Sequence, residues 1–369
     1  MKLLILSPGP KYNIEHEFSA RLEGMSEFSS GTVITAGPCR AKATFKNFEV
    51  QRYRDPYGKS FITTFFLLFG GGLLLLKALF KKSPYDCIVT YDPLKTGLIG
   101  LVLSRFFSAK LIVEVNGNYL NDAIYHEVRS PLKRKLKKAM FKFVAGFVLK
   151  RSHGVKRLYP LQTAGFDLAE RTVIGSFEDY VQMSKFSWQE DAREVLFVGF
   201  PFYIKGVDIL ISAFKKAYQE HPGWKLKIMG YYPNPDELYK CIGGHPGIEH
   251  HPPVDVSEMP LHMGRCGMFV LPSRTEAMGR VLLEAMACGK ARIGSNVEGI
   301  PTVIEDGVDG LLFDKGNDED LYNKMSLLMR DESLRKKIGD AAFSRSKSNF
   351  SEAAYFKRTE EFYRDVLSA

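Results

Sequence analysis

Cysteine is scarce in this 369-residue chain, and what there is does not pair. Cys39, Cys87, Cys241, Cys266 and Cys288 are odd in number, scattered, and nowhere spaced CxxC. That excludes a disulfide framework or a zinc site as an organising device and points to reduced thiols in a cytoplasmic setting. The eight histidines form no Cys/His cluster at metal spacing, and His16 and His153 belong to no motif. Two glycine-rich phosphate loops are also missing. No GxGxxG follows a strand, and Gly289–Lys290 has Glu284 where GxxxxGK[ST] needs its first glycine and Ala291 after it. No dinucleotide cofactor, and no cofactor of any kind, is therefore expected. There is no GxSxG elbow for a nucleophilic serine. Asp318, Glu319 and Asp320 read as a capped helix start after Asn317, not as metal ligands. Long apolar runs are few. FITTFFLLFGGGLLLLKALF, residues 61–80, is uncharged only over 61–76 and is broken by three glycines and Lys77. It falls short of the ~20 residues a membrane span needs, so a buried helix is expected, with an interfacial helix and a span as alternatives. MKLLILSPGP has too short an apolar core for a signal peptide and reads as a first strand closed by a turn.

What is present is a core-forming chain, 45% hydrophobic and 25% charged, with a net charge of +9. The charge is uneven. Residues 1–190 carry 28 Lys and Arg against 16 Asp and Glu, or +12, and the remainder 23 against 26, or −3. A basic first half faces something anionic. Strand-like and helix-like segments alternate, which predicts α/β layers with parallel sheets. The strands are KLLIL, TVITA, YDCIVTY and KLIVEV in one half, then EVLFVG, KLKIMG, GMFVLPS, ARIGS and GLLF in the other. Val207, Leu210, Ile211, Phe214 and Ala217 fall on one face of the clearest helix. Two Rossmann-like domains are expected, facing across a cleft: 1–187, 188–350, and a closing helix 351–369 that packs back on the first.

The stretch TEAMGRVLLEAMACGK, residues 275–290, places Glu276 and Glu284 eight positions apart. It follows a strand, and a helix is expected to begin near Met278, at the sheet edge where α/β proteins bind ligands. The first N–H groups of such a helix lack internal partners and carry partial positive charge. Gly279 lets an anion approach the backbone, and Arg280 adds a cation with bidentate geometry. Glu276 could then accept sugar hydroxyls and Glu284 both hydroxyls of a ribose. A simpler use fits the same residues: a glutamate in a first helical turn is stabilised by the dipole by about 0.3–1 kcal/mol.

This stretch, with SNVEGIPTVIEDGVDGLLFD after it, strongly resembles the signature of glycosyltransferase family 4, retaining enzymes of the GT-B fold. The resemblance runs from about 194 to 348. It implies that Glu276 contacts the donor sugar, that Glu284 binds the ribose, and that Ala277, Met278, Gly279, Arg280 and Val281 hold the diphosphate. Lys205, before Gly206, matches the family's diphosphate lysine, and Gly230 falls where the base packs. Phe200 stands where relatives have a second diphosphate cation, a charge that Arg280 is expected to replace. In the first half the resemblance is looser. Asn116, in EVNGNYLND, occupies the place of a histidine near the donor sugar. Asparagine shuttles no proton at neutral pH, which fits a substrate-assisted mechanism. Gly9, Asn116 and Asn118 are expected on the acceptor side, although asparagines in such segments commonly only shape turns.

PLKRKLKKAMFKFVAGFVLKRSHGVKR, residues 131–157, holds ten Lys and Arg and no acid. Interleaved with Met140, Phe141, Phe143, Val144, Phe147 and Val148, it suits an anionic membrane surface. Nucleic acid is not expected, because no reading module accompanies it. A charged helix whose apolar side packs on the sheet is the plain alternative. Together these readings predict a metal-independent transferase moving a sugar from a UDP- or GDP-sugar to a glycan or lipid-linked acceptor, peripheral on the inner face of the cell membrane. The alternatives are a nucleotide-sugar epimerase and a non-catalytic membrane-associated protein.

Overall fold

A computed structural model of the chain describes residues 1–7, 17–37, 39–55, 70, 72, 85–126, 128–190, 192–232 and 235–369. Gly9 and all of the 61–80 run except Gly70 and Gly72 lie outside the described residues. The fold is mixed α/β and divides into two units, residues 1–120, 128–177 and 356–369 against residues 121–127 and 178–355.

The first unit is built on β1 (Lys2–Leu6), β2 (Ser30–Gly37), β3 (Ala41–Phe45), β4 (Phe48–Arg54), β5 (Cys87–Thr90), β6 (Lys110–Val115), β7 (Gly154–Arg157) and β8 (Val173–Ser176). They form one sheet in the order β3-β4-β2-β1-β5-β6-β7-β8, parallel except for β3 against β4. Strands β1 and β5 are apolar runs that a doubly covered parallel sheet requires. Helices α1 (Glu17–Met25), α2 (Lys95–Phe106) and α3 (Pro131–Leu149) connect them. Ile99, Leu101 and Leu103 of α2 and Val148 and Leu149 of α3 join Leu4, Ile88, Leu111 and Val113 in the core. The β3–β4 hairpin, β7 and β8 were not among the strands expected. The hairpin lies at the sheet edge, β3 alternates half-buried and exposed residues, and the chain turns at Lys46, whose φ is +47°.

The second unit contains β9 (Glu194–Val198), α4 (Val207–Glu220), β10 (Lys225–Met229), α5 (Asp236–Ile242), β11 (Ile248–His251), α6 (Met259–Arg265) and β12 (Met268–Leu271). It continues with α7 (Arg280–Ala287), β13 (Ala291–Ser295), α8 (Ile300–Val303), β14 (Leu311–Phe313), α9 (Asp318–Arg330), α10 (Glu332–Asn349) and only the first turn of α11 (Glu352–Ser368). Its all-parallel sheet runs β11-β10-β9-β12-β13-β14. Helix α4 buries Val207, Ile209, Leu210, Ile211, Phe214 and Ala217, the stripe its periodicity predicts. Arg292 on β13 is wholly buried. It donates to the carbonyl oxygens of Val303 at 2.9 Å and Asp309 at 2.7 Å and pairs with the Asp309 carboxylate at 3.0 Å. Arg345 reaches the other Asp309 oxygen at 2.6 Å. The aspartate of the DGVDG segment thus locks β13 to α10 and is a structural residue. Helix α11 ends in the first unit, where Phe362 packs edge-on against Phe177 and Tyr363 against Phe28.

Candidate functional site

The second sheet grows in opposite directions from β9: β10 and β11 lie on one side, β12 to β14 on the other. Strands β9 and β12 thus flank the point where the strand order reverses, the place where open α/β sheets bind ligands. The loops leaving both strands carry predicted site residues. Lys205 ends the loop after β9, and its Nζ donates a short charge-assisted hydrogen bond to Glu276 Oε2, from the loop after β12. Ser273 Oγ donates to the same oxygen at 3.3 Å. The two loops touch because residue 206 is glycine: a Cβ there would overlap the Pro272 carbonyl, and φ is +65°. Arg274 then clamps them, with two bonds to Asp208 at 2.7 and 2.6 Å, one to the Tyr203 carbonyl at 2.8 Å, and its guanidinium 4.2 Å from the Tyr203 ring centre. His126 lies 3.7 Å, centroid to centroid, from the Tyr203 ring, stacked on it.

Helix α7 begins at Arg280, two residues later than expected, because Gly279 takes the left-handed N-cap conformation, φ +83°. No side chain caps it. The N–H groups of its first turn are the ones that a free helix end aims at an anion. Arg280 is exposed, Gly279 buried, and Ala277 and Val281 half-buried around this turn. Met278 is buried, its sulfur accepting the Asp179 N–H at 3.3 Å, so it contributes packing and its backbone rather than a side-chain ligand. Glu284 is half-buried on the second turn of α7. Gly230 follows β10, its carbonyl 3.3 Å from His250 Nε2, beside an aromatic group of Phe200, Tyr231 and Tyr232. Burial pushes the Tyr232 phenol well above its ordinary value, and its hydroxyl donates to the Gly199 carbonyl at 3.0 Å.

A residue with no predicted role organises the loop. Glu298 adopts φ +47°, which a side chain other than glycine takes only at a cost. Its Oε2 accepts from Thr275 Oγ1 at 2.6 Å and from the Glu276 N–H at 2.9 Å, and its Oε1 from Asn121 Nδ2 at 2.5 Å. Gly299 beside it permits the approach, since a Cβ there would overlap the Ala277 carbonyl. Glu298 so fixes the backbone that carries Glu276. The quoted VEGIP segment contained it, but nothing in the sequence shows that Asn121, 177 positions away, meets it.

Asn116 and Asn118 lie in the first unit. At the end of β6, Asn116 is exposed and its Nδ2 donates to the Tyr91 carbonyl at 3.0 Å. Asn118 Oδ1 accepts from Tyr159 Oη at 2.7 Å. Among the described residues no cluster of three or more His, Cys, Asp or Glu could hold a metal ion.

Residues 181–345 match the family model described as glycosyl transferases group 1. This stretch is a glycosyl transferases group 1 domain. Over 170 residues the chain is 35% identical to an exopolysaccharide phosphotransferase of Streptomyces coelicolor, covering 44% of this chain and 18% of that one. Over 151 residues it is 35% identical to an uncharacterized glycosyltransferase of Methanocaldococcus jannaschii, covering 39% and 40%. The matched stretch thus spans less than half the length of these curated relatives. Among solved structures, sucrose-phosphate synthase from Thermosynechococcus elongatus aligns over 100% of both chains with a TM-score of 0.80 at 18% identity. Anabaena HepE, in complex with UDP-glucose, also aligns over 100% of both, with a TM-score of 0.73 at 17% identity. The fold is GT-B. Residues 181–345 include Lys205, Glu276, Gly279 and Glu298.

Proposed function

We propose that the protein is a retaining, metal-independent glycosyltransferase that moves a sugar from a UDP- or GDP-sugar to a lipid-linked glycan acceptor in cell-surface polysaccharide or glycoconjugate synthesis. It works peripherally at the inner face of the membrane. The observation that carries this reading is the Lys205–Glu276 pair, set by the loops after β9 and β12 beside the uncapped start of α7. A diphosphate is met there by three positive elements, the Lys205 ammonium, the Arg280 guanidinium and the first N–H groups of α7. When the donor enters, Lys205 exchanges Glu276 for the diphosphate, and Glu276 is released to the sugar hydroxyls. Glu284 takes the ribose hydroxyls. The base packs at Gly230, and Phe200 offers an aromatic face there instead of a second cation.

Asn116 cannot act as a base, so the acceptor proton goes to the leaving group. The bond from C1 to the diphosphate oxygen breaks, the acceptor oxygen bonds to C1 on the same face, and the acceptor proton ends on the released diphosphate. The test is incubation with a panel of UDP- and GDP-sugars, with and without lipid-linked glycan acceptors. Transfer with unchanged anomeric configuration supports the reading. An altered sugar in the absence of acceptor, or no nucleoside diphosphate binding at all, rejects it. A bound nucleotide at 100 times its dissociation constant raises stability by about 2.7 kcal/mol, which a thermal shift detects.

A further inference from the structure

Helix α3 is turned the wrong way for a helix of a water-soluble surface. Only Ala145, Val148 and Leu149, at its last turns, are buried. Along the rest, the half-buried side carries Arg134, Lys138, Phe141 and Val144, while Leu132, Leu136, Met140 and Phe143 are 67%, 61%, 54% and 75% exposed. With Phe147 they follow a spacing of four, four, three and four and fall within an arc of about 80° on a helix of 3.6 residues per turn. The last turns of α3 thus pack inward, while over residues 132–147 a second apolar stripe faces outward. Lys133 and Lys137 flank the stripe on one side, Lys135 and Lys142 on the other, and all four are exposed. The Arg151 guanidinium covers the ring of Phe147, 3.8 Å from its centre.

Helix α2 packs on α3 where Gly97 leaves room, since a Cβ there would stand 3.0 Å from Val148 Cγ1. It exposes a stripe of its own, Leu98, Val102 and Phe106. No Asp or Glu occurs between Asp92 and Glu114, a stretch with Lys95, Arg105 and Lys110.

We propose that the outward stripes of α2 and α3 form a docking face for an anionic lipid bilayer. The apolar side chains would enter the acyl boundary, and the flanking lysines would extend their stems along it to reach phosphate headgroups. The aliphatic stripe and its flanking lysines together select the occupant. A nucleic acid would use the lysines and leave the aliphatic stripe in water. A second copy would have to bring the same uncompensated positive charge against itself. The proposal deepens the peripheral-membrane reading above and rests on it for its biological purpose. It needs no donor chemistry to be tested.

The experiment is co-sedimentation of the full chain with vesicles of phosphatidylcholine alone and of phosphatidylcholine with phosphatidylglycerol. UDP and GDP binding and the melting temperature are measured on the same samples. Binding is expected only with phosphatidylglycerol. The pair Leu136→Ser and Phe143→Ser should weaken it about tenfold, with melting and nucleotide binding unchanged. The pair Lys133→Gln and Lys137→Gln should also weaken it about tenfold and reduce its salt sensitivity. Absence of vesicle binding, or binding indifferent to both pairs, overturns the docking face even where nucleotide binding is intact. Loss of nucleotide binding in the wild type instead condemns the transferase reading and leaves the docking result to stand by itself. A dimer that the stripe variants dissociate, or tighter binding to duplex DNA than to vesicles, also overturns it.

Discussion

Replacing Glu298 separates backbone strain from hydrogen bonding at the proposed donor loop. In the native chain its φ of +47° costs about 1–2 kcal/mol, which only glycine avoids. Against this stand three bonds accepted by its carboxylate, from Asn121, Thr275 and the Glu276 N–H. Thr275 is 4% exposed, so its hydroxyl has little water to turn to. Losing the Thr275 and Glu276 bonds costs about 1–3 kcal/mol each. Glu298→Gly recovers about 1 kcal/mol of strain and should lie roughly 1–5 kcal/mol below wild type. Glu298→Ala keeps the strain, loses the same bonds, and should be about 1 kcal/mol worse than glycine. Glu298→Gln should fall between wild type and glycine. Its one oxygen can serve Thr275 and Glu276, but its amide then opposes Asn121 Nδ2, and Asn121 cannot flip without losing the Ala123 N–H bond at 2.8 Å. For a unit of this size, 1 kcal/mol moves the melting point by about 2–4 °C. Differential scanning calorimetry should order the proteins wild type, Gln, Gly, Ala, and transfer by the glycine variant should fall at least about tenfold as Glu276 loosens. A glycine variant as stable and active as wild type, or an alanine variant equal to glycine, refutes the reasoning.

Other outcomes follow from buried groups. Asp309→Asn leaves Arg292, whose own pKa burial has already pulled down to about 10, without its counter-charge, and should lose about 3–5 kcal/mol in chemical denaturation. Burial pushes the Cys87 and Cys288 thiols up to about 12. Alkylation of the native protein, read by mass spectrometry, should label the exposed Cys39 and spare Cys87, Cys266 and Cys288 until unfolding. Burial first, then Lys110 and Arg171, lower the pKa of His153, whose neutral Nδ1 accepts the Leu111 N–H at 3.0 Å. The unfolded chain therefore binds this proton more readily. The stability tied to it is present above the ordinary 6.5 and is lost as pH falls from there towards the lowered native value. His153→Gln should flatten that limb of a stability-against-pH curve, and an unchanged limb would assign it to other groups.

Much of the sheet architecture was legible because doubly covered parallel strands are apolar runs. KLLIL, CIVT, KLIVEV and MFVL are strands in both readings. The missed strands fail that test. β7 is GVKR, with Lys156 buried beside Glu114 at 3.7 Å, and β11 is IEHH at a sheet edge. The start of α7 moved because the flexibility of Gly279 was read as room for an anion, whereas the structure also uses it to turn the chain. Lys205 and Glu276 were readable through family resemblance, and the structure bonds them. Glu298 was not readable, because its role exists only where three distant segments meet. The direction of the stripe on α3 was likewise beyond the sequence: periodicity defines a face but not what the face looks at.

The most direct measurement is a crystal structure of the protein soaked with a UDP- or GDP-sugar. The diphosphate should lie within hydrogen-bonding distance of Lys205 Nζ and the N–H groups of residues 279–281, with the ribose hydroxyls on Glu284 and Glu276 swung from Lys205 to the sugar. A donor seated elsewhere, with the Lys205–Glu276 pair still closed, would contradict this placement.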